Sequence, residues 1–452
     1  MRRGTLEHID RLRPALGAVF LIGYALHTFV PGLPGTSIFL ATGAILYSLS
    51  VPWSSAFHRG LAAVAFGLLS ATLVTGRFDA ERFLEGLPAY FGVVAVLLVL
   101  SAAGYPLRAA RYEAQIRALV AALARLGVGI RATAGVLGHI LGSVLDVGAF
   151  VLVDVISGRA APEQRLEALR WAGRAFSFAP LWTNLNVFTA TTIVLTGVTY
   201  PGLLAVTLPF ASLGLAATLL AAQRDKGDAV EIPAAEPLDR RAVAVLLYPV
   251  TLVTAVAAVN LLLTGISLTA AISITVATVV LAIAAAAVLI LRRLSPLQRL
   301  AHETRTSLAA SHAEFALFGS AGVLVLSLQM LGALAPLGAL LSALPVYLVA
   351  PALAVVMAAG FVAGIHVIPL VLMIDAAFPL DTGPAPALWA AAILLGSQAA
   401  ILLTPFSSAV TMLSRLSGLH PLEIGPKRNW RFELVVASSA MLYLALLTLL
   451  LL

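Results

Sequence analysis

Long apolar runs, separated by short polar breaks, organise this chain. A helix needs roughly 20 mostly apolar residues to cross the hydrocarbon of a bilayer. Runs of that kind fall at 14–31, 34–52, 60–76 and 87–105, then at 175–198 and 202–222. Beyond a polar stretch they resume at 242–264, 268–291, 313–334, 344–375, 386–414 and 432–452. The pattern predicts an all-α polytopic integral membrane protein with roughly 10–12 transmembrane segments.

Four stretches depart from this pattern. Residues 107–127 place Ile116, Leu119, Val120, Leu123 and Leu126 at helical spacing, with Arg111, Arg117 and Arg125 outside the stripe. That is an amphipathic helix suited to an interface. Residues 292–312 are similar: Arg292, Arg293, Arg299 and Arg305 accompany Leu297, Leu300 and Leu308. Residues 129–157 are apolar but interrupted at Gly138, Gly142 and Ser143, with Arg125 and Arg131 before and Arg159, Arg165, Arg170 and Arg174 after. Basic flanks on both sides favour a segment that enters and leaves on one face, a re-entrant hairpin turning near Gly142-Ser143. The fourth stretch, 223–241, is the long hydrophilic loop that divides the chain into two halves.

Composition sharpens the class. The chain has 452 residues, 60% of them hydrophobic and 11% charged, with a mean hydropathy of +1.00. A soluble domain is about 45–50% apolar and about 25% charged, so a soluble enzyme and a nucleic-acid module are excluded. There is no cysteine, hence no disulfide framework, thiol nucleophile or cysteine-ligated metal. All but two of the 28 basic residues are arginine, the lysines being Lys226 and Lys427. The arginines gather between apolar runs, so the net charge of +7 reads as membrane topology. Arg2, Arg3, Arg11 and Arg13 precede the first run with no small-x-small cleavage site after it. The expected N-terminus is cytoplasmic, in a plasma membrane of bacterial inner-membrane type.

The two halves share an order of parts. Each has apolar spans, a basic amphipathic stretch, a Gly-interrupted stretch and a run broken by proline. One break reads APLWTNLNVFTATTIVLTG, with Pro180, Thr183, Asn184 and Asn186; the other reads TPFSSAVTMLSRLSG, with Thr404, Pro405, Ser407 and Ser408. They close on Gly197 and Gly418. Interrupted segments in corresponding halves point to a carrier's binding site. The expected organisation is N-terminal helices over 1–106, a first repeat over 107–222, the loop 223–241, linking helices over 242–291, a second repeat over 292–431 and a C-terminal helix over 432–452.

On these residues the chain resembles the ion-transporter superfamily of secondary carriers, which holds arsenite, citrate and dicarboxylate-type permeases. The resemblance implies two inverted repeats, each with an interfacial arm, a re-entrant hairpin and a broken helix. The arms would be 107–127 and 292–312, the first hairpin 129–157, and the breaks Pro180–Asn186 and Thr404–Ser408. The Ser-Asn-Thr signature of the dicarboxylate branch is at neither break, Thr183-Asn184 being nearest.

Candidate chemistry lies in the interruptions. Thr183, Asn184, Asn186, Thr404, Ser407 and Ser408 are the expected solute-binding residues. Proline at each break frees backbone carbonyls as cation ligands, and the following helix N-termini favour an anion. Asp146 and Asp154 lie within an apolar stretch, where a carboxylate is costly and functional by default. With His139 and His366 they are the expected sites for a coupling proton or ion; an interfacial pairing of Asp154 with arginine is the alternative. His366 with Pro369 and Asp375 marks another discontinuous helix. No zinc motif, phosphate loop or nucleophile elbow occurs.

The expected function is a secondary active transporter of a small organic or inorganic anion, working by alternating access, with an elevator movement as one form that it can take. It would be coupled to H⁺ or Na⁺, with no other cofactor and no enzymatic activity. Expected partners are the bilayer, the solute and a second copy in a homodimer, with no nucleic acid. The alternative is a membrane-embedded enzyme or lipid-handling protein whose basic arms hold an acidic head group.

Overall fold

The computed structural model describes residues 2–30, 34–106, 113–157, 161–224, 240–263, 266–380 and 385–451. The loop 225–239, the start of the first arm with Arg111, and Arg159 lie outside the described residues. Among those described, the regular structure is helical throughout, with no strand. The helices are α1 (Arg2–Phe29), α2 (Gly35–Ser50), α3 (Ala56–Val74), α4 (Ala80–Ala103), α5 (Glu113–Arg125), α6 (Ile130–Leu145), α7 (Ala149–Ser157), α8 (Pro162–Phe176), α9 (Val187–Thr196) and α10 (Tyr200–Arg224). They continue with α11 (Arg240–Leu262), α12 (Leu268–Leu291), α13 (Ser295–Ala310), α14 (His312–Leu331), α15 (Ala335–Ser342), α16 (Val346–Val362), α17 (Val367–Ala377), α18 (Pro386–Gln398), α19 (Ser408–Ser417) and α20 (Arg428–Leu451).

Nine described stretches are long and apolar enough to cross a membrane, and four further apolar helices are shorter. The chain is an all-α polytopic membrane protein. Three of the apolar runs are not single helices. The run 175–198 is interrupted between α8 and α9, 344–375 between α16 and α17, and 386–414 between α18 and α19.

The helices form two compact units. The first comprises Met1–Pro106, Ile272–Ala339 and Leu372–Ala377. Its centre is a cluster of rings from four helices: Phe20 lies 4.9 Å from Phe39 and 5.0 Å from Phe315, with Phe91 edge-on at 6.3 Å. Aromatic pairs in such geometry add about 0.5–1.5 kcal/mol beyond burial. Tyr47 and Ser320 share a buried hydroxyl bond of 3.1 Å. In hydrocarbon such interhelical bonds replace the hydrophobic drive, which lipid abolishes.

The second unit comprises Leu107–Ala271, Leu340–Val371 and Phe378–Leu452. One core there joins α5, α6, α7, α8, the segment around Leu402, α19 and Ile424. The arm helix α5 turns Ile116, Leu119 and Val120 into this core and leaves Arg117 and Arg125 exposed. Its stripe therefore covers protein. The other basic helix, α13, belongs to the first unit; Leu300 and Leu308 are buried and Leu297 is exposed. The two arms also differ in place. α5 leads directly into α6, whereas α14 and α15 separate α13 from the next apolar pair, α16 and α17.

Candidate functional site

The interrupted segments of the second unit converge. α6 and α8 run side by side in the same sense. A Cβ on Gly138 would meet Ala172 O at 2.6 Å, and one on Gly142 would meet the Phe176 ring at 2.5 Å. α7 returns the other way: Phe150 packs on Phe176 at the far end of α8, and Asp154 reaches Arg165 near its start. The α6–α7 segment is thus a helical hairpin.

Its turn is not at Gly142-Ser143, as the glycines suggest. Gly142 stays helical because only a bare Cα fits against Phe176. The chain turns one helical turn later, at Asp146, with φ 51° and ψ −138°. Such a backbone costs a non-glycine residue about 1–3 kcal/mol and is most often kept at functional positions. Asp146 is exposed, while Leu141–Ser143 and Ala149–Phe150 on either side are buried.

Asp154 is held in a fork. Arg165 Nε donates to Oδ1 at 2.6 Å and Nη2 to Oδ2 at 2.8 Å, while Nη2 also reaches Leu416 O at 3.2 Å at the end of α19. The bond to Asp154 pushes the Arg165 guanidinium further above its ordinary value. The pairing alternative for Asp154 is realised, with Arg165 as partner.

The first break begins where α8 ends. Pro180 offers no N–H, so the helix cannot continue through it. Thr183 Oγ1 accepts from Leu185 N at 3.2 Å and donates to Ser143 O at 3.1 Å, tying the break to the last turn of α6. Asn186 caps α9, accepting from Phe188 N and Thr189 N. The freed carbonyls are not open to a cation as the sequence suggests. Thr189 donates to Pro180 O, Thr207 to Leu181 O and Tyr200 to Trp182 O. Backbone groups at membrane depth must be satisfied, and here neighbouring hydroxyls satisfy them. Asn184 is fully buried; its amide donates to Val253 O at 3.1 Å, and its Oδ1 has no partner among the described residues.

The second break repeats this construction. Thr183, Asn186 and Gly197 recur as Thr404, Ser407 and Gly418, each 221 positions later. Thr404 Oγ1 accepts from Phe406 N at 3.3 Å, the same two-residue turn that Thr183 makes. Ser407 caps α19 by accepting from Val410 N. α9 and α19 are each ten residues long, and each ends on a left-handed glycine. Thr404 and Ser407 are buried; Ser408 is exposed. Among the described residues no side chain donates to the carbonyls of Ile401–Thr404, in contrast to the first break. The breaks cross: α8 packs on α19, where Gly173 admits Leu413, and α9 packs on α18.

A short turn over 363–366 joins α16 to α17 and sets Leu370 against Gly360. His366 sits in that turn, its Nδ1 accepting from Ile368 N at 3.4 Å. Asp375 falls in the first unit, within electrostatic reach of Tyr90.

His139 lies on α6 facing the first break. Its Nδ1 meets Ala175 O at 2.9 Å, and Trp182 Nε1 donates to its Nε2 at 2.9 Å. The spacing of His139 from Asp146 gave no sign of this partner.

Sequence reasoning missed a further cluster, on α20. Glu433 is fully buried; its Oε1 accepts from Leu402 N at 3.1 Å, within the second break. Arg174, from α8, donates to Asn429 Oδ1 at 3.0 Å and lies over the rings of Trp171 and Phe432. In the sequence Arg174 is one of the arginines after 129–157, and Glu433 falls within the apolar run 432–452. The available signal is an acidic residue in that run, one turn after Asn429.

No protein-family model matches the chain, and no curated protein matches it. Among solved structures it is similar to the crystal structure of the Alcanivorax borkumensis YdaH transporter, reported to have an unusual topology. That likeness covers 86% of this chain and 97% of the other, at 17% identity and a TM-score of 0.53. At this identity the likeness is one of fold.

Proposed function

We propose that the protein is a secondary active transporter of a small organic or inorganic anion, working by alternating access, with coupling to H⁺ or Na⁺. The observation that carries this reading is the doubled break. Two interrupted helices of the same local construction, 221 positions apart, cross within one unit, the first behind the α6–α7 hairpin. Discontinuous helices in corresponding places are how carriers build a mid-membrane site. The fold shared with a transporter supports the same reading.

In this proposal the hairpins α6–α7 and α16–α17 are re-entrant and the halves are inverted repeats. The solute sits at the second break, near Thr404, Ser407 and Ser408, and Asn184 Oδ1 of the first break is an open acceptor for a hydroxyl or other donor group of the solute. Helix N-termini capped by Asn186 and Ser407 favour negative charge. Asp146, exposed at a strained turn, is the first choice for a coupling ion. Thr183, Asn186, His139 and Asp154 are assigned to holding the breaks and hairpin in place, since their polar atoms are already bonded. The N-terminus is placed in the cytoplasm of a bacterial inner membrane.

The test is a thermal-shift screen of the purified protein against small carboxylates and oxyanions, with and without Na⁺ and at two pH values. Binding at a hundredfold excess over Kd stabilises by about 2.7 kcal/mol. A selective shift, strengthened by Na⁺ or low pH and followed by uptake into proteoliposomes, supports the carrier. Stabilisation by anionic lipids alone would transfer the assignment to lipid handling.

A further inference from the structure

The carboxyl of Glu433, in the second unit, has no task in the carrier scheme. It has no exposed surface. One oxygen holds Leu402 N–H at 3.1 Å, and the other, Oε2, has no hydrogen-bond partner among the described residues. A charged carboxylate taken out of water is tolerated only when its oxygens are hydrogen-bonded or paired. Here half of that requirement is unmet.

The surroundings restrict what can meet it. Asn429, one turn earlier on α20, is turned to other partners: Oδ1 takes Arg174 Nε, and Nδ2 donates to Ile424 O at 2.8 Å. The charge of Arg174 acts on Glu433, while its Nη2 contacts Arg428 O at 3.4 Å. The other helices packed on α20 are α10, α16 and α18. Their sequences carry only Tyr200 and Arg224 on α10 and Tyr347 on α16 as titratable groups. On the chain just before α20 are Glu423 and Lys427, and on α20 itself Arg428, Arg431 and Tyr443; Arg428 is paired with Glu423 at 3.4 Å. Farther along α8, Arg170 is paired with Glu167.

The position of Glu433 gives any change in its charge a mechanical outlet. Leu402 is the residue it holds, and Leu402 lies in the unwound segment between α18 and α19. The π turn Glu423–Lys427 closes the same segment from the other side: a Cβ on Gly425 would lie 3.1 Å from Leu402 O. Such π turns occur frequently at functional sites.

We infer that Glu433 is a proton-binding site, its Oε2 taking the proton, and that occupancy sets how the second break is held. With the proton on, the neutral acid keeps Leu402 N–H on Oε1. With the proton off, the carboxylate draws on the Arg174 guanidinium, which then pulls on Asn429 and on the α20 side of the break. The proton competes with Arg174 for the same carboxyl. The role in coupling rests on the carrier reading; the proton site does not.

Infrared difference spectroscopy of the purified full-length protein in lipid nanodiscs, titrated across the physiological pH range, tests this. Wild type is expected to show the carbonyl band of a protonated carboxylic acid that disappears as pH rises. The band is absent in Glu433→Gln, a variant that keeps the hydrogen bond from Leu402 and elutes as folded protein. In Arg174→Gln the band persists to higher pH, because the competing charge is gone; Arg174→Lys leaves it near its wild-type position. Absence of a titrating band, or its survival in Glu433→Gln, overturns the inference, as does a titration indifferent to the charge at residue 174. Solute uptake plays no part in this readout, so failure of the carrier reading is seen separately, in proteoliposomes.

Discussion

Trp182 donates its indole N–H to Nε2 of His139 at 2.9 Å, and that bond fixes the state of the histidine. Indole is a donor only, so Nε2 is unprotonated and Nδ1 carries the proton that meets Ala175 O. A ring engaged at both nitrogens would have to break from Trp182 to accept a proton. Trp182→Phe should therefore cost about 1 kcal/mol of stability, in the range for a lost hydrogen bond that strands a buried acceptor. Thermal unfolding checks it. An unchanged midpoint would show that the clamp between α6 and the first break contributes nothing.

The turn at Asp146 separates strain from chemistry. Asp146→Gly relieves a positive φ that only glycine adopts freely, at the cost of a more flexible unfolded chain, about 0.4–1 kcal/mol. The expected net effect is a gain of about 1 kcal/mol in stability together with loss of ion-coupled uptake. Asp146→Ala loses uptake without gaining stability. A stabilised Asp146→Gly that still transports normally would remove Asp146 from the coupling scheme.

Two glycines hold helices close enough that any side chain forces them apart. A Cβ at Gly138 would sit 2.9 Å from Ala172 Cα, and one at Gly396 would sit 2.7 Å from Ala354 Cα. Overpacking of this kind costs about 1–3 kcal/mol. Gly138→Ala and Gly396→Ala should each lower the unfolding temperature, while Gly148→Ala, whose nearest neighbour would be 3.8 Å away, should not. Equal effects from all three would show that the close contacts between α6 and α8 and between α18 and α16 are unimportant.

Asn186 and Ser407 occupy the same place in the two breaks, so each should accept the other's side chain. Alanine at either position is expected to cost about 1 kcal/mol, the usual loss for an N-cap. Asn186→Ser and Ser407→Asn should restore most of it, measured by thermal unfolding of the single variants. If the exchanged residues are as damaging as alanine, the two caps are not equivalent.

The repeat was legible in part. Proline, small polar residues and a closing glycine marked both breaks, because each of those residues does local work that any fold would need. The interruption between α16 and α17 is hidden inside one apolar run, since hydropathy counts residues and is blind to direction. The basic flanks of 129–157 point to a chain that doubles back, as α6 and α7 do, but they do not place the turn. Glycine suggests Gly142, yet the Phe176 ring needs Gly142 for packing and the bend falls at Asp146. The open carbonyls expected at the first break are absent for a related reason. Thr189 comes from the next helix, and Thr207 and Tyr200 from α10, and nothing in the order of residues announces that they bond to Pro180, Leu181 and Trp182.

By itself, then, the sequence determined that this chain lives in lipid, is helical, and interrupts its helices at two similar places. Those properties follow from composition and from residues that shape their own backbone. Which polar groups are spent and which are left over depends on how distant elements pack together. His139, Thr183 and Asp154 looked available and are bonded; Glu433 looked incidental and is buried with an oxygen unmatched among the described residues. Hydrogen bonding in a medium without water is settled between elements far apart in sequence, and a chain read in order does not display those partners.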